Sequence, residues 1–243
     1  MIAIQTIELE KKFKEKTAVN KLNLSIEEGE LFALLGVNGA GKTTTIRMLS
    51  CLLRPTAGDA ILLGKSIVKN SYDVKRMINI SPQETAVAPN LTVRENLELI
   101  AGIYGFDKSK SKGKAKEIIS TFSLEEVEKS KAKTLSGGWQ RRLSIAMALI
   151  SEPRILFLDE PTLGLDVLAR RELWSAISKI KGKITIILTT HYLEEAEALS
   201  DRIAIMVKGE LKALGTAAEL KAKTGKDNFE DAFISIAEGG LQK

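Results

Sequence analysis

Leu31-Phe32-Ala33-Leu34-Leu35-Gly36-Val37-Asn38-Gly39-Ala40-Gly41-Lys42-Thr43 decides how this chain is read. The unbroken apolar run Leu31–Leu35 predicts a strand covered on both faces. The residues that follow match G-x-x-x-x-G-K-[ST], and Thr44, Thr45, Ile46, Met48 and Leu49 continue as a helix. The glycines let the backbone wrap a phosphate with its N–H groups pointing inward. The helix N-terminus adds partial positive charge. Lys42 then reaches the terminal phosphates and the Thr43 hydroxyl can bind Mg²⁺. The alternative is a plain Gly-rich strand-to-helix turn, which the flanking strand and helix disfavour.

Two later runs have the same apolar character. Ile155-Leu156-Phe157-Leu158 and Ile184-Thr185-Ile186-Ile187-Leu188 are each followed by a helical stretch, the pattern of parallel strands buried on both faces. The first ends in Asp159-Glu160. In phosphate-loop enzymes an Asp in this place holds Mg²⁺. Glu160 then faces the space beside the terminal phosphate, where it can orient or deprotonate a water. Taken alone, two acids could merely end a strand and cap the next helix; the phosphate loop shifts the reading toward catalysis.

Before the loop the pattern alternates instead. Ile2, Ile4, Ile7 and Leu9 read as one half-exposed strand, and Leu22, Leu24 and Ile26 as another, as expected of an antiparallel sheet. Between Gln83 and Pro153 there is no convincing strand. Thr92-Val93-Arg94-Glu95 is a capping box, with Val93, Leu97, Ile100 and Tyr104 at helical spacing; Ile118, Ile119 and Phe122 mark a second helix, and Leu143, Ala146, Met147 and Ile150 a third. A helical block is therefore predicted inside an α/β domain. Beyond it, Ile203–Val207, the turn Lys208-Gly209 and Glu210–Leu214 read as a hairpin, and Thr216–Glu219 caps another helix. Patterning weakens from about Gly225, so 225–243 is read as a tail.

Composition narrows the class. With 36 Lys+Arg against 31 Asp+Glu, the net charge of +5 over 243 residues is mild, and much of it sits in Lys108–Lys114, read as a solvated loop or helix entry. A nucleic-acid partner is not expected. One cysteine, Cys51, excludes a disulfide framework and fits a reducing compartment; it is read as an inert thiol in an apolar helix. No apolar run approaches the roughly 20 residues of a spanning helix, and Met1–Gln5 lacks the marks of a secretion signal. A cytoplasmic location is expected.

Ser136-Gly137-Gly138 precedes the helix of Leu143 and Met147. Ser is a good N-cap, and two glycines leave N–H groups uncovered. On its own the triplet is either a simple cap or a second anion site. Leu135-Ser136-Gly137-Gly138-Trp139-Gln140, shortly before the acidic strand, resembles the signature motif of ATP-binding cassette (ABC) ATPases. Gln83 in Ser81-Pro82-Gln83-Glu84 resembles the Q-loop of that family, Leu165-Asp166 its D-loop, His191, the only histidine, its H-loop, and Phe13 the aromatic residue that stacks on adenine. The resemblance covers the chain to about residue 224.

The resemblance implies a P-loop NTPase (RecA-like) α/β core, 1–83 and 153–224, with an antiparallel β subdomain and an inserted α-helical subdomain, 84–152. It implies that Phe13, Gly36, Val37, Asn38, Gly39, Ala40, Gly41, Lys42, Thr43 and Thr44 bind ATP, with Thr43, Gln83 and Asp159 holding Mg²⁺. Glu160, His191 and Gln83 would be the catalytic set. Ser136, Gly137, Gly138 and Asp166 would act in trans on the nucleotide of a second cassette, either a copy of this chain or a homologous ATPase subunit. The machine so assembled would drive a separate membrane permease, most similar to drug, antibiotic or ion exporters, from the inner face of the cell membrane. A non-transport ABC ATPase working on nucleic acid or ribosomes is the rival reading. Two positions depart from the commoner pattern: Trp139 stands where Gln is usual, and Phe13 where Tyr is more frequent, which keeps the stacking face and loses a hydroxyl. Trp174, on helical spacing with Leu173, Ile177 and Ile180, reads as packing.

Overall fold

The structure, a computed structural model, describes residues 1–239; residues 240–243 of the expected tail lie outside the described residues. Chain order is β1 (Ile2–Phe13), β2 (Lys16–Leu22), β3 (Ser25–Glu27), β4 (Leu31–Leu35), α1 (Lys42–Leu49), β5 (Ala57–Leu62), β6 (Lys65–Ser66), α2 (Ser71–Lys75) and β7 (Ile78–Ser81). Three helices follow, α3 (Val93–Ile103), α4 (Lys108–Thr121) and α5 (Gly137–Leu149). The chain then runs through β8 (Ile155–Asp159), α6 (Val167–Ser178), β9 (Thr185–Thr190), α7 (Leu193–Leu199), β10 (Arg202–Val207), β11 (Glu210–Gly215), α8 (Ala217–Thr224) and α9 (Phe229–Ala237).

The strands form two sheets. The larger has the order β11-β10-β4-β9-β8-β7, parallel throughout except for the β10–β11 hairpin. The smaller is antiparallel, β2-β1-β5-β6 with β3 also on β1. Every residue of β4, β8 and β9 is buried, as their apolar runs require. Their side chains alternate between two layers. Leu31, Leu156, Leu158, Ile186 and Leu188 pack with Leu143, Leu173 and Ile177 of the helices on one face. Phe32, Leu34, Phe157 and Ile187 pack with Ile46 and Met48 of α1 and with Ile4, Leu9 and Leu62 of the antiparallel sheet on the other. Each such fully buried aliphatic side chain contributes about 1.5–3 kcal/mol.

α3 opens with the predicted capping box, Thr92 and Glu95 exchanging side-chain and backbone bonds. The Lys108–Lys114 run becomes the first turns of α4, capped by Asp107. No helix among the described residues is long and apolar enough to cross a membrane.

Three expectations need correction. The stretch from Leu22 to Ile26 is not one strand: Lys21 adopts a left-handed φ of +42°, ending β2, and the chain restarts on β1 as β3. Cys51 is not inside a helix but just past α1 at φ +57°, half-buried, though burial does push its thiol pKa up, in keeping with low reactivity. The weakly patterned stretch after Gly225 contains α9, whose Phe229, Ala232 and Ile236 are buried; Phe229 and Ile236 pack with Ala33, Leu35, Ile203 and Ile205 of the main sheet.

Candidate active site

Parallel register sets the site. Leu35 of β4 lies opposite Thr190 of β9, and Thr189 of β9 opposite Asp159 of β8. The loops leaving those strands therefore emerge together at the carboxyl edge of the sheet, where open α/β folds bind ligands. They are Gly36–Gly41, the Asp159-Glu160 corner and the His191 turn.

Two glycines in the first loop are sterically demanded. At Gly36 an added Cβ would collide with the Met206 carbonyl, and at Gly41, φ +103°, with that of Ala18. Lys42 is nearly buried, its Nζ donating to the Gly36 carbonyl at 2.7 Å and pairing with Glu160 Oε1 at 3.2 Å. Thr43 Oγ1 donates to Asp159 Oδ1 at 3.1 Å, and Thr189 Oγ1 donates to the same oxygen at 2.5 Å. Glu160 sits at φ +47°, a conformation that costs a non-glycine residue of order 1–3 kcal/mol. Its N–H is held there by the Thr189 hydroxyl and carbonyl, and its Oε2 is 2.7 Å from His191 Nδ1. The strained corner aims a buried carboxylate between Lys42 and His191.

These groups surround one cavity of about 560 Å³, lined by Phe13, Lys16, Ala18, residues 38–44, Gln83, Glu160, Leu163 and His191. The predicted Phe13, Asn38, Gly39, Ala40, Gly41, Lys42, Thr43, Thr44, Gln83, Glu160 and His191 are thus brought together. Gly36 and Val37 stand just outside that lining, as the backbone partners of Lys42, and Asp159 stands behind Thr43. Ser136, Gly137, Gly138 and Asp166 do not line it.

Ser136 and Gly137 are exposed at the start of α5, and the Ser136 hydroxyl makes no cap hydrogen bond, which leaves it and the first N–H groups of the helix facing outward. A cap alone does not explain the triplet. Asp166, also exposed, accepts from Ala169 N–H at 2.9 Å and caps α6. Trp139 folds back under Arg142, whose guanidinium lies 4.5 Å from the ring and pairs with Glu172.

Sequence reasoning missed Arg141 and Thr189. Arg141, almost buried on α5, donates to the carbonyls of Pro161, Asp159, Pro82 and Gln83, tying the acidic corner to the Gln83 turn. Burial lowers its pKa to about 10, against the opposing pull of Asp159 and Glu195. Its only signal was an arginine leading into the long buried run Leu143–Ile150. Thr189 had none, since its role appears only across the strand pair.

The donor set suits a hard cation: the Thr43 hydroxyl and the Asp159 carboxylate lie within hydrogen-bond distance of each other, and Gln83 lines the same cavity as Thr43. Among the described residues no group of three or more His, Cys, Asp or Glu side chains could hold a metal without help. Oxygen donors such as Thr43 and Asp159 match the chemistry of a small hard cation, which commonly takes one or two protein oxygens together with substrate phosphates and water.

Comparison with known proteins follows the same line. A family model described as ABC transporter matches residues 19–163. Daunorubicin resistance ATP-binding protein DrrA3 of Streptomyces coeruleorubidus is 42% identical over 232 residues, 95% of this chain and 72% of that protein. A solved structure described as the ATP-binding subunit of an ABC transporter superposes with a TM-score of 0.83 at 27% identity, over 96% of this chain and 99% of the other. The dimeric cassette MJ0796, in a post-hydrolysis state bound to ADP and Pi, superposes with a TM-score of 0.78 at 27% identity, over 88% of this chain and 98% of the other.

Proposed function

The chain belongs to the ABC transporter family as an ATP-binding, ATP-hydrolysing subunit, and from that premise we propose that it drives export through a separate membrane permease. The observation that carries the assignment of roles is the convergence of Lys42, Thr43, Gln83, Glu160 and His191 on one cavity with Phe13 on its wall. The triphosphate lies along residues 36–44, with Lys42 turning from the Gly36 carbonyl to the phosphate oxygens. Thr43, Asp159 and Gln83 would hold Mg²⁺, which would neutralise phosphate charge when bound. Glu160 orients the attacking water and takes its proton, while His191 faces the γ-phosphate. The chemistry is in-line displacement at phosphorus, so positioning and charge carry most of the rate.

Phe13 is about half exposed, with the Lys11 ammonium 5.2 Å from its ring centroid, and it has a face available for adenine. Stacking of a base on an aromatic ring is worth about 1–3 kcal/mol. Phe13→Ala is therefore expected to weaken ATP binding roughly 5- to 150-fold in a fluorescent-nucleotide titration. Unaltered affinity would remove Phe13 from base contact.

The outward-facing Ser136, Gly137 and Asp166, beside exposed Leu163, Val167 and Leu168, support a two-fold pair in which each chain completes the other's site. The dimeric relative points the same way. On the helical segment, taken as the subdomain 84–152, Leu99 and Ile103 of α3 and Tyr104 just after it are exposed apolar surface, and the Tyr104 hydroxyl reaches the Asn79 amide on β7. We assign this face to the permease, with the subunit peripheral on the cytoplasmic side. Export rests on the drug-resistance relative. Affinity capture from detergent-solubilised membranes should bring down a multi-spanning protein whose presence alters ATP turnover. Salt-sensitive recovery of nucleic acid, with no membrane protein, would contradict the proposal.

A further inference from the structure

The strongest unassigned arrangement lies where α6 meets the His191 turn. Arg170 and Trp174 stand one turn apart on the same face of α6. The Arg170 guanidinium lies over the Tyr192 ring, 4.5 Å from its centroid, and its NH1 is 3.8 Å from Glu194. The Trp174 indole N–H donates to Glu195 Oε1 at 3.1 Å. Tyr192 follows His191 directly, with ring centroids 4.2 Å apart. One face of α6 thus holds the segment 191–195 at two points, and the same helix begins at Asp166.

Glu195 is fully buried, a place where an apolar residue of similar volume would serve packing at least as well. Burial raises its carboxyl pKa against the pull of the nearby Thr190, Thr162 and Trp174 groups. The Thr162 and Thr190 hydroxyls and the Trp174 indole all reach its carboxylate, while Arg170 Nε is among the buried side-chain atoms that have no hydrogen-bond partner among the described residues. Buried polar groups are ordinarily satisfied. A buried carboxylate held by the indole, beside an unpartnered guanidinium nitrogen, marks a joint in which polar contacts fix how α6 meets the His191 turn.

We infer that Arg170, Trp174 and Glu195 are positioning residues that lock α6 to the His191 turn, so that the Asp166 segment facing a partner cassette and the histidine facing this chain's own triphosphate move as one unit. The inference rests on the roles proposed above for His191 and Asp166. A lock of this kind acts on the rate of turnover once ATP is bound. It contributes nothing to the ground-state grip on the nucleotide, which residues 36–44 supply.

The test is steady-state ATPase kinetics of the full chain, with melting temperature checked for each variant. Trp174→Phe keeps an aromatic ring but removes the N–H together with the second ring of the indole; kcat should fall roughly 10- to 100-fold, as misplaced catalytic groups typically cost, with KM for ATP within about twofold. Glu195→Leu should match it, and Glu195→Gln, which retains a carbonyl acceptor for the indole, should keep kcat within about threefold of wild type. Wild-type kcat in folded Trp174→Phe, or a change confined to KM, would overturn the inference; so would Glu195→Gln falling as far as Glu195→Leu. A second readout is spectroscopic. The chain has two tryptophans, so Trp139→Phe leaves Trp174 as the sole emitter. In that variant combined with Glu160→Gln, added ATP should change the Trp174 emission, and constant emission in nucleotide-bound protein would count against the joint. His191→Ala separates the two levels. If it turns over at full speed, the site reading fails and the inference with it; if it is slow while Trp174→Phe is fast, the inference alone fails.

Discussion

Glu160→Gln is expected to retain ATP, to hydrolyse it roughly 10²–10⁴-fold more slowly than wild type, and to accumulate as an ATP-dependent dimer on a sizing column. The expectation follows from the surroundings of the side chain. Glu160 is nearly buried, 3.2 Å from Lys42 Nζ and 2.7 Å from His191 Nδ1, on a backbone corner held by Thr189. Gln has the same shape, so the corner and the cavity persist, but it cannot accept a proton from water. Lys42 also loses an anionic partner and is freer to meet the triphosphate, which favours binding. On the proposed trans arrangement ATP stabilises the closed pair and hydrolysis weakens it, so a pair that cannot hydrolyse stays closed. Turnover at the wild-type rate would remove Glu160 from its role.

Ser136→Arg is expected to suppress hydrolysis by roughly 10²-fold or more, the scale for losing a preorganised contact to developing charge, while the isolated subunit binds nucleotide as before. Ser136 is exposed and its hydroxyl makes no cap hydrogen bond, so the fold tolerates the change. What the change alters is the outward face of α5. A long cationic side chain covers the N–H groups there and keeps a partner's triphosphate from reaching them. Since Ser136 does not line this chain's own cavity, binding by the lone subunit is insulated from the substitution. Parallel loss of nucleotide binding would place Ser136 in its own site and contradict the trans arrangement.

How far the sequence spoke depends on the range over which each feature is determined. Leu31–Leu35 is legible because burial on both faces forces an unbroken apolar run, and the structure buries all of it. The capping boxes at Thr92 and Thr216 are legible because they close over three residues. The break at Lys21 was not, since a left-handed residue within an alternating stretch leaves the alternation almost intact. α9 carried a readable pattern, Asn228 before Phe229, Ala232, Phe233 and Ile236, but nine residues form a helix only when packing holds them, and the packing comes from β10 and β4. In the site, the phosphate loop could be read from its residues alone, whereas Gln83, Asp166 and His191 were identified only through family resemblance. Arg141 and Thr189 escaped both routes because their partners are backbone and side-chain oxygens on other segments.

The central claim is that each ATP is completed by two chains, and mixing two inactive variants tests it most directly. Lys42→Ala disables the phosphate loop, and Ser136→Arg disables the opposing helix end. In a mixed pair one site carries both lesions and the other carries neither. The account predicts that each variant alone is inactive and that an equal mixture regains ATPase activity, up to about a quarter of wild type if the pairs form at random and the sites act independently. A mixture that remains as inactive as its components, under conditions where mixed pairs are shown to form, would contradict it.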